Sequence, residues 1–392
     1  MNRADPYPRP FFRLPAVAFP HRWREIVDAV AEAVKGDPGA RQTAGLLFAD
    51  AKGALRFVLE CMRVRCPQRD EVIIPAYTCY SVPAAVIAAQ LRVVLCDVSP
   101  ETLDFRYAQL AGLAGPRTLA IVAGHLFRSP VDYPALRATA ASAGAFLIDD
   151  AAQGGDVGTL RECGADARIR SFGRGKPVSA GGGGLLSIAD GPLREDTARA
   201  CARLPDAPLL QSVTEAVSVI AAAVMTHPRL YWLPARLPFL HLGETRYPDA
   251  VTTAPGSRFV RALLPRAESA GRVLDSVRRE HCRHYRLALS CARGLQPAQH
   301  RNPDYAPHRF PIYVRPQVQA SCLRSLGRLG VSRMYPGSLN QLRCLEARAV
   351  RFKEPMPGAE WLAAHLLTLP THHRVTADSR EIIIRTLRRA SP

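Results

Sequence analysis

The ten cysteines contain no C-x-x-C pair, which excludes a zinc ribbon and a thioredoxin-type redox site. Their spacings are scattered, and disulfide scaffolds belong to chains far shorter than these 392 residues. Reduced thiols in a cytoplasmic protein are therefore expected, with no metal site. No stretch reaches the roughly 20 apolar residues that span a bilayer. The opening MNRADPYPRPFFRLPAVAFP is broken by prolines and lacks the continuous apolar core of a signal peptide. Internal repeats and low-complexity tracts are also missing. Basic residues outnumber acidic ones by 52 to 34, yet they form no single block, which speaks against a nucleic-acid arm. A formal charge of +18 suits an anionic partner or reflects arginine-rich coding.

What is present is alternation. Ala54, Leu55, Val58, Leu59 and Met62 recur at helical spacing. Continuous apolar strands read over 72–77, 93–96, 119–123, 146–148 and 185–188, with helices opened by Pro83 and running over 134–143, the latter closed by Gly144. Strands without polar alternation, separated by helices, predict an α/β fold with a mostly parallel sheet covered on both faces. Chemistry in such sheets gathers at the carboxyl ends of the strands.

The expected organisation is an N-terminal segment over 1–45, with a helix over 22–34, a large domain over 46–256, and a small α/β domain over 257–392. An insertion over about 192–249 interrupts the large domain. Its apolar stretch 213–225 reads as a buried helix or a subunit contact. The alternative is a peripheral membrane contact through 213–240, helped by Arg229 and Arg236. In the small domain a long helix is expected over 265–287 with Pro265 in its first turn. Strands follow over 310–314 and 366–369, then a helix over 377–387 capped by Thr376.

Two segments carry chemistry. Ser171-Phe172-Gly173-Arg174-Gly175-Lys176 precedes Pro177-Val178-Ser179-Ala180 and four glycines, 181–184. Glycines let backbone approach a ligand closely. A partly desolvated lysine beside another cation, here Arg174, is an amine nucleophile. A nucleotide P-loop is excluded, because Pro177 replaces the Ser/Thr that binds magnesium and Arg170 stands where the leading glycine belongs. The second segment is Asp149-Asp150-Ala151-Ala152-Gln153 at a strand end. Adjacent strand residues face opposite sides, so one carboxylate alone can face a ligand. It either caps the following turn or pairs with a protonated ring nitrogen.

Six collinear elements resemble the DegT/StrS-type sugar aminotransferase family of fold-type-I pyridoxal 5'-phosphate (PLP) enzymes. They are Asp70 to Thr78, Asp97 to Leu103, His125 to Pro130, Asp150 to Gln153, Ser171 to Lys176, and Leu367 to His372. The likeness runs from about Leu46 to the C-terminus, the insertion apart. It implies the PLP-dependent transferase fold type I, with the cofactor linked to Lys176, which then shuttles the proton. It also implies that Asp150 holds the pyridine nitrogen, that Gln153 lies near the phenolic oxygen, and that Ser171 binds the phosphate. Lys52 joins Ser171 at the N-terminus of the helix beginning near Ala51, where the dipole favours an anion. Ala51-Lys52 stand where the family usually has Gly-Thr. Cys79 stands where the ring-stacking aromatic is expected, with Tyr80 beside it, and either one could cover the ring. Retention of Lys176 argues against the 3-dehydratase branch.

The implied activity moves an amino group from an amino-acid donor, glutamate by expectation, to a nucleotide- or lipid-linked keto-sugar. Such enzymes serve polysaccharide, cell-envelope or secondary-metabolite biosynthesis, and they work as homodimers. The competing readings are another PLP-dependent, lyase-type enzyme and a degenerate member with a regulatory or assembly role.

Overall fold

The computed structural model describes residues 13–15, 18–35, 45–154, 159–237, 245–290, 296–297, 306–342, 345, 350–351 and 355–390. In chain order the elements are α1 (Trp23–Lys35), β1 (Leu46–Phe48), α2 (Ala51–Arg65), β2 (Glu71–Pro75), α3 (Ser81–Ala88), β3 (Arg92–Cys96), α4 (Tyr107–Leu113), β4 (Thr118–Gly124), α5 (Tyr133–Ala143) and β5 (Phe146–Asp150). There follow α6 (Leu160–Cys163), β6 (Ala167–Ser171), β7 (Gly184–Ile188), α7 (Pro192–Cys201), α8 (Leu209–Met225) and α9 (Arg258–Leu289). The remainder comprises β8 (Gln296–Pro297), β9 (Arg309–Tyr313), α10 (Pro316–Leu326), β10 (Val350–Arg351), α11 (Pro357–His365), β11 (Leu366–Pro370) and α12 (Ala377–Ala390).

The main sheet has the order β1-β7-β6-β5-β4-β2-β3-β10. Its pairs are parallel except at β7, which runs antiparallel to both β1 and β6. The strict two-residue period of a strand divides its side chains between two cores. Val72, Ile74, Val93, Leu95, Val122 and Ile148 pack with α2 on one face. Ile73, Val94, Ile121, Ala123 and Leu147 pack with α4 and α5 on the other. Burial on both faces is why these strands read as unbroken apolar runs. Each such Val, Leu or Ile side chain contributes about 1.5–3 kcal/mol.

A second, antiparallel sheet, β11-β9-β8, has its own core with α9, α10 and α12, built around Tyr285, Phe310, Ile312, Leu367, Leu369 and Ile383. The hydroxyl of Thr376 accepts from the Ser379 amide at 3.2 Å, which caps α12 where the sequence predicts it.

Three expectations shift. The strand predicted to run to Tyr77 ends at Pro75, and α3 starts two residues ahead of Pro83. Helix α9 begins at Arg258, where the Ser257 hydroxyl accepts from the Val260 amide at 3.1 Å. Pro265 therefore lies inside the helix rather than in its first turn. It lacks one backbone donor there, but Phe259, Val260, Leu263, Leu264 and Ala267 bury the same segment against α1 and α8, and that packing carries the helix through.

Within 213–240, α8 buries Ala216 and Val219 and leaves Val213 and Val217 exposed; residues 238–240 lie outside the described residues. No described helix is long and apolar enough to cross a membrane.

Candidate active site

The two carboxylates at the end of β5 part company, as the pleat requires. Asp149 is fully buried. One of its oxygens accepts from His125 Nε2 at 2.7 Å and the other from Arg168 Nε. Burial alone would raise the Asp149 pKa, but His125 and Arg168 outweigh it and hold this carboxyl below the usual range. Burial likewise pushes His125 down, and the Asp149 carboxylate more than restores it, leaving the imidazole pKa raised. The hydroxyl of Tyr133 closes the network at 2.8 Å from His125 Nε2, and the Ser129 carbonyl lies 3.1 Å from Nδ1.

Asp150 opens on the other side. One of its oxygens accepts from the Ala152 amide at 3.1 Å. Burial raises its pKa, against the opposing pull of Lys176. A carboxylate so placed gains from a cationic or N–H partner supplied by a ligand.

Lys176 reaches the same space from the loop between β6 and β7. Gly175 has φ +83°, a backbone state that favours glycine. Further on, a Cβ on Gly184 would stand 2.5 Å from the Ala51 backbone, so the absent side chain allows α2 to begin directly against β7. This contact brings the N-terminus of α2 to the cleft. Asp150, Lys176, Cys79 and Ala152 line two adjoining parts of that cleft, of about 410 and 670 Å3. The smaller adds Tyr77, His125, Leu126, Gln153 and Tyr335. The larger adds Asp50, Ala51, Lys52, Ser81 and Ser171.

The structure thus gathers Lys176, Asp150, Gln153, Ser171, Ala51, Lys52 and Cys79 around one space. Tyr80 lines neither part. It is buried in the core behind Cys79, its ring 6.4 Å from that of Tyr335. Gln153 is held at both ends, its oxygen accepting from the Phe127 amide at 3.1 Å and its nitrogen donating to the Tyr335 hydroxyl at 2.8 Å. Lys52 forms an ion pair with Asp50, which also N-caps α2 through the Gly53 amide at 2.8 Å.

Sequence reasoning passed over Tyr335. Its local signal is the turn Tyr335-Pro336-Gly337, which places the ring against Tyr77 at 5.2 Å between centroids. Among the described residues no cluster of three or more His, Cys, Asp or Glu could hold a metal.

An amine, a carboxylate on the side of the same cleft, and a helix N-terminus flanked by a serine and a lysine suit a flat, phosphorylated heteroaromatic aldehyde. The amine can bond the aldehyde carbon, the carboxylate a ring N–H, and the helix end the phosphate.

Comparisons with known proteins point the same way. Residues 41–204 match the DegT/DnrJ/EryC1/StrS aminotransferase family. A UDP-N-acetyl-3-dehydro-alpha-D-glucosamine 3-aminotransferase from Acidithiobacillus ferrooxidans is 30% identical over 156 residues, 38% of this chain and 41% of that protein. An L-glutamine:2-deoxy-scyllo-inosose aminotransferase from Streptomyces fradiae is 31% identical over 163 residues, 40% of this chain and 35% of that protein. The chain spans about two fifths of the length of the curated relatives it matches. The solved structure of DesI with its TDP-sugar product superposes with a TM-score of 0.72 at 20% identity, over 96% of this chain and 92% of that one. That likeness shows the fold, that of the fold-type-I aminotransferases.

Proposed function

From the match of residues 41–204 to the DegT/DnrJ/EryC1/StrS aminotransferase family, we propose that this chain is a PLP-dependent aminotransferase acting on a keto-sugar. The observation that carries the reading is the meeting of Lys176 and Asp150 in one cleft with the N-terminus of α2. When bound, the cofactor supplies an electron sink for the carbon that loses and regains a proton. The chain's own residues do the rest.

Asp150 would accept the ring N–H; burial raises its pKa, so an N–H or cationic partner there favours its charged form. Lys176 holds the cofactor through its amine and carries the proton. Ala51, Lys52 and Ser171 take the phosphate at the dipole of α2, which requires Lys52 to be shared between Asp50 and the ligand. Gln153, fixed by Phe127 and Tyr335, would lie near the phenolic oxygen. Cys79, which lines the cleft, rather than the buried Tyr80, would cover the ring. The overall exchange balances. An amino acid gives up its amine and becomes a keto acid, the keto-sugar carbonyl becomes an amine, and no external oxidant is consumed.

The donor is glutamate in this reading, and the acceptor a nucleotide- or lipid-linked sugar, in keeping with the surplus of positive charge. The chain works as a cytoplasmic homodimer in which a second copy covers the exposed stripe of α8, with no nucleic-acid partner.

The test is the visible spectrum of purified protein with PLP, before and after glutamate, alongside Lys176→Ala. A lysine-dependent band that shifts with glutamate, together with borohydride trapping on Lys176 alone, supports the proposal. A colourless protein that takes up no PLP sinks it.

A further inference from the structure

Lys176 is followed by Pro177, whose ring fixes its own φ and restricts Lys176 to extended backbone. The Pro177 carbonyl accepts from Arg278 Nη2 at 2.7 Å, a bond buried from solvent. Arg278 in turn donates to Asp275 Oδ1 at 2.7 Å. The same Asp275 receives a two-pronged fork from Arg128, at 2.9 and 3.1 Å. Arg128 also donates to the carbonyls of Gly154 and Ala306, at 3.2 and 2.9 Å. One turn earlier on α9, a Cβ at Gly271 would lie 2.9 Å from Val178, so this face of the helix lies directly on the loop that carries Lys176.

Arg128 holds its fork at φ +66°, a left-handed state that costs a non-glycine residue of order 1 kcal/mol or more. That cost persists only where surroundings hold the residue, and here the guanidinium is held by Asp275 together with the Gly154 and Ala306 carbonyls. The other end of Arg128's turn forms the cleft wall, with His125 and Leu126 lining it and the Phe127 amide holding Gln153. One carboxylate on α9 is thus joined, through Arg278 and Arg128, to both loops that flank the cleft.

We propose that Asp275, with Arg278 and Arg128, positions the Lys176 amine, a role that rests on reading Lys176 as the site's amine. These are positioning residues; none lines the cleft. Asp275→Asn and Arg278→Met are expected to slow covalent trapping of PLP on Lys176, read by mass spectrometry after cyanoborohydride, by about tenfold. Arg278→Lys, which keeps a cationic donor without the guanidinium fork, should return to within about threefold of wild type.

A second readout needs no cofactor. A small amine-acylating ester labels Lys176 and the exposed Lys35 of α1 in one sample, and their labelling ratio should change by more than about threefold in the same variants. A merely structural loss would lower the melting temperature while leaving that ratio where it was. Trapping and ratio both within about twofold of wild type, in variants that remain folded, overturn the proposal.

Should those variants unfold, Arg128→Gly decides. Glycine accepts the left-handed backbone without strain, so the variant keeps the turn and loses the fork. An unchanged Lys176-to-Lys35 ratio in it overturns the proposal; a changed ratio sustains it. If wild-type Lys176 is not trapped by PLP at all, the proposed function fails while the labelling ratio still decides the positioning role.

Discussion

The two sides of the β5 terminus receive the same residue type one position apart and treat it in opposite ways. On one side Asp149 is sealed between His125 and Arg168, and its charge is fully answered within the chain. On the other, Asp150 looks into a cleft with Lys176 across from it, and its pKa is raised. The difference comes from the pleat, which sends neighbouring side chains to opposite faces, and from what each face is given. The face of α4 and α5 carries a finished network. The face toward α2 carries the cleft lined by Asp150 and Lys176. Two adjacent aspartates can thus divide structure from chemistry without any difference in their own composition.

Substitutions at the two positions can break that division. Asp149→Ala leaves His125 and Arg168 buried without their acid and should lower the unfolding free energy by about 3–5 kcal/mol, measured by urea denaturation of the apoprotein. Asp150→Asn should leave that stability unchanged or slightly raised, while amino transfer falls about 10²–10³-fold, measured by conversion of glutamate to its keto acid with a keto-sugar acceptor. A large stability loss at Asp150, or an active Asp149→Ala enzyme of full stability, would erase the contrast.

The pH profile sharpens it. Asp149 has a depressed folded pKa, so its contribution is present above its unfolded value near 3.9 and lost as pH falls through the folded pKa. His125 is raised, so its contribution is complete below about 6.5 and lost as pH rises through its folded pKa. Asp150 is raised, so its ionisation opposes folding as pH climbs from about 3.9 to its folded pKa. Unfolding followed from pH 3 to pH 9 should show a central maximum in wild type, flattened on both limbs in Asp149→Ala. The smallest expected effect is that of Tyr133→Phe, which removes one hydroxyl from the sealed network and should cost about 1 kcal/mol without altering the Lys176 spectrum.

Much of this site is legible in the sequence because its parts are local. Asp149-Asp150 closes an apolar strand, and Lys176 follows a glycine and precedes a proline and four more glycines; period and turn chemistry locate both. Strand periodicity even requires that one aspartate face away, though it does not choose which. The choice needs His125 and Arg168, brought together by the pairing of β4, β5 and β6. The α9–loop clamp is less visible still. Arg128 and Asp275 lie 147 positions apart, and no short-range pattern marks such a pair. The start of α9 was obscured by Pro265, which reads as a helix opening when the buried faces of α1 and α8 are unknown.

The succession Lys176-Pro177 also governs how the protein can be handled at the bench. Lysines occur only at 35, 52, 176 and 353, so amine coupling to a sensor surface or reductive methylation will strike the cleft at two of four positions. Lysine-specific proteases leave the bond into a proline intact, so Lys176 cannot be released at its own position whether modified or bare. Cleavage at Arg174 and Arg194 instead delivers it within a single peptide, 175–194, in which it is the sole lysine. The mass of that one peptide reports the chemical state of the site directly.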